Sequence, residues 1–427
     1  MADVLSCSIK FNIGFISTRI AGTDGVSLEI GKWAETFEQD GFSCYYFAGE
    51  IDRRSDRSYL AEQAHFLHPD IRDIYQRCFG VNIRDRAVTD KIHEIKEILK
   101  DHLYRFIEAY NIELIVPQNA LTIPLNIPLG LAITEVVCET GIQTIAHHHD
   151  FFWERKAFLR NAVWDFINTA FPPHLPHIQH VVINSSADNQ LSLRTGASST
   201  IIPNVMDFEH PPPPPDEYAA DVRQALGIED DELFILQPTR VVKRKGIEHA
   251  VELVHKLGRK ARLVISHASG DEGHDYERRL KDYSAMMNVH TLFVSDIISE
   301  RRGYTRNGRK IYTLYDVYPY ADLVTYPSDI EGFGNAFLEA VYFRKPIVIN
   351  TYSIYSTDIK PKGFKVIEMD GYVTDETVRR TGAVLDDPAH CREMVELNYQ
   401  IAKRNYSYAN LREKLRSLIR ECMAHQS

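Results

Sequence analysis

Short apolar runs alternate with longer amphipathic stretches along almost the whole chain, and that alternation leaves few folds open. Strands are expected at 12–17, 44–47, 114–117, 143–146, 180–184 and 200–202, with helical patterns at 27–39, 89–110, 128–139, 151–169 and 187–194 between them. Such a strand–helix–strand series specifies a parallel sheet covered on both faces. The pattern then stops. Residues 202–207 read Ile-Pro-Asn-Val-Met-Asp, and five successive prolines fill 211–215. Proline cannot continue a helix or an interior strand, so a stiff extended connector is expected there. A second series follows, with strands at 233–237, 262–266, 291–294, 323–326, 347–349 and 365–368. Its helices are expected at 246–257, 276–287, 312–317, 335–343 and from 389 onward.

The pattern predicts an α/β protein of two Rossmann-like domains, 1–205 and 206–400, facing each other across a cleft. Ligands of open α/β sheets bind beyond the carboxyl ends of the strands, so the chemistry belongs in the loops that follow them. Composition removes other classes. At 44% hydrophobic and 25% charged residues the chain has ample core, which argues against disorder. Its net charge of -10 carries no nucleic-acid footprint. The six cysteines (Cys7, Cys44, Cys78, Cys138, Cys391 and Cys422) form no C-x-x-C pair and no zinc spacing, as expected of reduced thiols in the cytoplasm. Residues 1–8 lack the charge and apolar core of a signal peptide. The most apolar stretch, 112–138, is broken by Pro117, Pro124 and Pro128 and carries Glu113 and Glu135. A membrane span needs about 20 predominantly apolar residues, so strand, loop and buried helix are expected there.

Two loops of the second half carry the chemistry. Tyr326-Pro-Ser-Asp-Ile-Glu331-Gly332-Phe333-Gly334-Asn335 leaves a strand, turns through two glycines and opens a helix that contains Glu339. Glycine lets backbone approach a ligand, and a helix start offers N–H groups and a positive dipole end to an anion such as a diphosphate. Glu331 and Glu339 are too far apart in sequence to share one phosphate. They suit a ligand with hydroxyls on either side of a phosphate bridge, as in a nucleotide sugar; either acid alone could be a solvated helix-start residue. Arg240, Lys243, Arg244 and Lys245 crowd one strand-to-helix loop of an acidic chain. Guanidinium forks and ammonium point charges suit phosphate oxygens, and a solvated basic turn is the alternative. No Asp-x-Asp follows an apolar strand, so no metal site and no obligatory cofactor are expected. The first-strand turn lacks G-x-G-x-x-G, which argues against a nicotinamide oxidoreductase.

Together, Arg240…Lys245-Gly246 and Glu331-Gly-Phe-Gly…Glu339 resemble the retaining glycosyltransferases of family 4, which have the GT-B fold. The Ile202-to-Asp207 segment is similar to that family's domain junction, where Gly more often follows the Asn. The resemblance implies that Arg240 and Lys245 grip the donor diphosphate, Glu339 holds the ribose and Glu331 contacts the transferred sugar. It further implies donor contacts from Gly332, Phe333, Gly334 and Asn335, and from Gly22 and Gly25 of the loop after the first strand. It places a catalytic histidine in Thr144-Ile-Ala-His147-His148-His149-Asp150, where His149 matches best. Adjacent residues of an extended chain point in alternate directions, so three histidines in a row rarely chelate one ion. Arg19, Asp24 and Arg155, with Lys156 and Arg160 nearby in sequence, are candidates for an anionic acceptor. The resemblance also implies that 401–427 forms a helix crossing back to the first domain.

The expected reaction moves a hexose from GDP-mannose or UDP-glucose to a small polar or phosphorylated acceptor with retention, by front-face attack. The Gly-Thr-Asp-Gly loop and the His-Asp-Phe segment look similar to mannosylglucosyl-phosphoglycerate synthases, which make compatible solutes. A nucleotide-sugar epimerase of the same fold and a non-catalytic carbohydrate-binding protein are the alternatives. Self-association is open.

Overall fold

The computed structural model describes residues 11–22, 24–269 and 274–424; Cys7 and Thr23 of the Gly-Thr-Asp-Gly loop lie outside them. The chain divides into two compact units. The first holds the residues up to Asn204 together with the stretch from Ala409, and the second holds Val205–Tyr408.

The first unit contains β1 (Asn12–Ile16), β2 (Ser43–Ala48), β3 (Ser58–Leu60), β4 (Ile112–Pro117), β5 (Gln143–His148), β6 (Ile178–Val182) and β7 (Ser199–Ile201). They form one parallel sheet in the order β3-β2-β1-β4-β5-β6-β7. Chain order reverses between β1 and β4, which opens a crevice at the carboxyl ends of those two strands. The central strands are buried on both faces: Ile13, Phe15, Ile16, Val116 and Ile145 are all at 0% exposure. Residues 112–138 resolve into β4, a loop and the helix Ile127–Thr140, most of which is buried.

The second unit contains β8 (Leu233–Gln237), β9 (Ala261–Ile265), β10 (His290–Phe293), a small antiparallel pair β11 (Gly303–Tyr304) and β12 (Lys310–Ile311), β13 (Leu323–Tyr326), β14 (Ile347–Asn350) and β15 (Ile367–Met369). Its six-stranded parallel sheet runs β10-β9-β8-β13-β14-β15, and here order reverses between β8 and β13. The proline run 211–215 lies inside this unit, in neither helix nor strand.

One expected element is overturned. Residues 151–169 are not one helix but a 3-10 turn (Phe152–Glu154), a single helical turn (Lys156–Leu159) and the helix Trp164–Ala170. Asn161 breaks the pattern. Its side chain donates to Phe158 O (2.8 Å) and accepts from Val163 N (2.9 Å), offering the backbone a local alternative to the helix. The freed backbone pairs elsewhere, with Ala162 N donating to Cys78 O and Gly80 N to Arg160 O, both at 2.8 Å. From 388 the chain forms two helices, Pro388–Tyr406 and Tyr408–Ala424, separated by extended Ser407. The helices Pro69–Cys78 and Asp375–Asp386 and the β11–β12 pair were not expected from the sequence.

Cys44, Cys78 and Cys422 are buried free thiols and Cys138 is exposed. Among the described residues no helix is long and apolar enough to cross a membrane.

Candidate active site

The switch point of the second unit brings the two motif loops together. The loop after β8 ends in a 3-10 turn, Lys243–Lys245, and Gly246 at φ +54° starts the helix Ile247–Leu257. A Cβ on Gly246 would stand 2.5 Å from Pro327 O, so glycine is what lets this loop lie backbone-to-backbone on the one after β13. Asp329 N donates to Arg244 O (2.9 Å) and Arg244 Nη1 to Ile330 O (3.3 Å). Across this seam Lys245 Nζ donates to Glu331 Oε1, and Arg244 Nη1 stands 3.5 Å from Glu331 Oε2. Both members of the Lys245–Glu331 pair are nearly buried, with side chains 11% and 9% exposed.

The surroundings of the pair are aromatic. Lys245 Nζ stands 5.5 Å from the Tyr326 ring centroid. Burial pushes the Lys245 pKa down, and the Glu331 carboxylate opposes that push. Burial first and the Glu331 charge second hold the Tyr326 phenol well above its ordinary value. Gly334 takes φ +117°, and a Cβ there would meet Tyr352 Oη at 2.5 Å and the Tyr326 ring at 3.3 Å. Tyr352 Oη donates to Phe333 O (2.8 Å), while the Phe333 ring packs on Tyr406, so Phe333 turns its side chain into the core. On the helix Asn335–Tyr342, Glu339 accepts a hydrogen bond from the Tyr318 hydroxyl (2.9 Å).

Arg240 differs from Lys245. It is exposed, and its side chain makes no hydrogen bond or ion pair among the described residues. Its charge is felt at His267, just beyond β9, whose pKa is lowered by the crowding of the protein around it and then by Arg240 and Lys245. The loops are zipped by Val241 N donating to Ala268 O (3.2 Å). His267, Tyr326 and Tyr352 were not singled out from the sequence. The rule that chemistry follows strand ends would have reached His267, one strand over from the basic loop; nothing in the pattern distinguishes the two tyrosines from core residues.

In the first unit the histidines alternate: His147 and His149 turn to Gln118, and His148 turns to Thr122 and His180. His147 stacks on Trp33 (4.3 Å between centroids) and places Nδ1 2.8 Å from Gln118 Oε1. His148 lies between Thr122 Oγ1 and His180, with Nε2 2.9 Å from His180 Nδ1. Both are 1% exposed, and burial holds both pKa values well below the ordinary histidine value. His149 is partly exposed, its Nε2 3.1 Å from Gln118 Oε1, and burial lowers its pKa against the pull of Glu29, Asp150 and Asp24. Asp24 caps the helix Gly25–Gln39, accepting from Val26 N (3.1 Å), Ser27 N (3.2 Å) and Ser27 Oγ (2.7 Å). Arg19 Nη2 pairs with Asp24 Oδ2 at 3.0 Å, and Arg155 pairs with Asp150. Gly22, at φ +72°, donates its N–H to Asp52 Oδ2 (2.8 Å), and open space surrounds Gly25.

A family description, glycosyl transferases group 1, matches residues 219–400, the stretch that contains Arg240, Lys245, Glu331 and Glu339. Mannosylglucosylglycerate synthase from Thermotoga maritima is 30% identical over 438 residues, covering 94% of this chain and 98% of that protein. The chain belongs to the group 1 glycosyltransferases. A second relative of this glycosyltransferase, mannosylglucosylglycerate synthase from Petrotoga mobilis, is 30% identical over 84% of the chain and 86% of its own length. Among solved structures, sucrose-phosphate synthase from Thermosynechococcus elongatus superimposes with a TM-score of 0.67 at 15% identity, over 97% of this chain and all of that one. HepE of Anabaena, solved with UDP and glucose, gives 0.64 at 13% identity over 96% and 100%. At those identities the likeness establishes the fold of the glycosyltransferase, GT-B.

Proposed function

We propose that this glycosyltransferase moves a hexose, with retention, from a nucleotide sugar to glucosylglycerate: mannose from GDP-mannose is the first candidate and glucose from UDP-glucose the second. The observation that carries the reading is the nearly buried Lys245–Glu331 pair at the β8/β13 switch point, beside the unpaired Arg240. The names of the two relatives that match most of the chain support the product.

In this reading the bond from the anomeric carbon to the donor phosphate breaks, and its electron pair leaves with the nucleoside diphosphate. Arg240, Lys245 and the amino end of the helix Asn335–Tyr342 receive the growing charge; Gly332, Gly334 and Asn335 approach the diphosphate with backbone. Glu339 holds the ribose. Glu331 orients hydroxyls of the transferred sugar, and His149 takes one of them as a neutral hydrogen-bonding partner. The acceptor oxygen attacks from the face the phosphate leaves, and its proton passes to a departing phosphate oxygen. Arg19 and Arg155 meet the acceptor carboxylate, drawn from their present partners Asp24 and Asp150. Preorganised cations do the work a metal would do at the leaving group. Full activity in chelator is therefore expected, and loss of activity restored by Mg²⁺ or Mn²⁺ would remove this part of the proposal.

The deciding experiment is a thermal-shift panel of GDP, UDP and ADP followed by product analysis with glucosylglycerate. Stabilisation by GDP and a mannosylated product with α-linkage retained are expected. Sugar isomerisation without acceptor would point to an epimerase, and binding without turnover to a carbohydrate-binding protein.

A further inference from the structure

What fixes the ring of His149 is a residue outside every motif described above. Gln118 follows β4 at the β1/β4 switch point. Its backbone is held on both sides: its N–H donates to Ile16 O (2.8 Å), and its carbonyl accepts from Ser17 Oγ (3.1 Å). Its side chain is fully buried, at 0% exposure. One atom of it, Oε1, is shared by two rings, His147 Nδ1 at 2.8 Å and His149 Nε2 at 3.1 Å. The His149 backbone is fixed independently, its N–H donating to Asn119 Oδ1 (3.1 Å). Its ring lies 4.5 Å from that of His147, which is itself stacked on Trp33. Turning over the His149 ring would break the Gln118 contact.

A neutral imidazole has one N–H and one lone pair. Spending the N–H on Gln118 Oε1 leaves the lone pair at Nδ1. The geometry points to Gln118 as a positioning residue that fixes the tautomer and orientation of His149, so that Nδ1 accepts from a hydroxyl of the bound sugar. The charges facing the ring are mixed: Asp24 and Glu29 from the cap and first turns of the helix Gly25–Gln39, with Asp150 just beyond β5, favour the charged form, and Lys32 opposes it. Burial outweighs the three acids and keeps the pKa below the ordinary histidine value. The inference rests on the proposed role of His149, but its first half concerns the free protein and can be read without substrate.

The experiment uses the full chain labelled with ¹⁵N-histidine, with His149→Asn to assign the signal. At neutral pH, wild-type His149 should show a protonated Nε2 and a bare Nδ1. Gln118→Leu, of similar volume and unable to accept, should mix the two tautomers. Gln118→Glu keeps an acceptor oxygen in place and adds a charge that pulls the ring pKa up, so at a pH above that pKa it should show the wild-type pattern. Thermal melts report the fold of each variant, so the Glu variant serves should the Leu variant be unstable. A His149 protonated at Nδ1 in the wild type overturns the inference, as does an unchanged tautomer in Gln118→Leu or a Gln118→Glu that behaves like Leu. In transfer from GDP-mannose to glucosylglycerate, Gln118→Leu should lower kcat about tenfold or more, with donor KM within about twofold. If His149→Ala keeps full kcat while the tautomer data stand, the proposed role of His149 fails instead.

Discussion

Replacing Glu331 with alanine is expected to abolish measurable transfer and to destabilise the protein at the same time. The second effect follows from the geometry alone. Glu331 is the carboxylate that meets the Lys245 ammonium in a nearly buried place, with Arg244 on its other oxygen. Removing one partner of a buried ion pair leaves a charge with neither water nor counter-ion, at a cost of about 3–5 kcal/mol. Replacing both partners by apolar groups leaves no such charge. Glu331→Ala/Lys245→Met should therefore regain most of the stability and none of the activity, which a denaturant titration and a kcat measurement separate cleanly. The pH dependence has a definite sign. Burial already lowers the Lys245 pKa, and losing Glu331 lowers it further, so the unfolded chain binds the extra proton. The deficit of Glu331→Ala should shrink as pH rises from the depressed lysine value toward the ordinary one. Wild-type stability in the single variant would mean that the pair is relaxed by solvent, and the energetic argument would fall.

That pair also marks where sequence reading stops. Lys245 and Glu331 are 86 positions apart, and each was assigned to the donor from its own loop. Nothing in either loop says that the two side chains neutralise each other before any ligand arrives; that follows from β8 and β13 being neighbours, a fact of topology. The strands themselves were legible because both sheets are parallel and buried on both faces, which leaves near-continuous apolar runs such as Leu233–Gln237 and Leu323–Tyr326. The short edge strand Ser58–Leu60 and the charged helix Pro69–Cys78 escaped, since one is brief and the other exposes half of its residues and buries only three. In 151–169 the apolar spacing suggested one helix, and a single Asn161 with two side-chain hydrogen bonds undid it. Asp24, a candidate for the acceptor, has its oxygens engaged in the free protein by the helix start and by Arg19. Local competition of this kind is invisible to periodicity, because it turns on which hydrogen bonds close first rather than on which residues are apolar.

Arg240→Ala should be the opposite kind of lesion, catalytic without being structural. Arg240 is exposed and holds no hydrogen bond or ion pair through its side chain among the described residues, so truncating it breaks nothing in the free protein. A stability change within about 0.5 kcal/mol is expected, as for other surface positions. In the transition state the same guanidinium would face a diphosphate taking on charge. Losing one such preorganised donor typically raises the barrier by about 2.7–4 kcal/mol, or about 10²–10³-fold in kcat. Arg240→Lys should recover only part of the rate, because an ammonium supplies charge without the planar fork that spans two phosphate oxygens. Lys243, exposed in the turn of the same loop, is the control: its alanine variant keeps the fold and should keep the rate. The measurement is release of nucleoside diphosphate in the presence of acceptor, alongside the affinity for GDP and UDP. Equal rates in Arg240→Ala and Lys243→Ala would show that the Arg240 guanidinium does no more for the leaving group than its surface neighbour, and the phosphate role would have to pass to Lys245 alone.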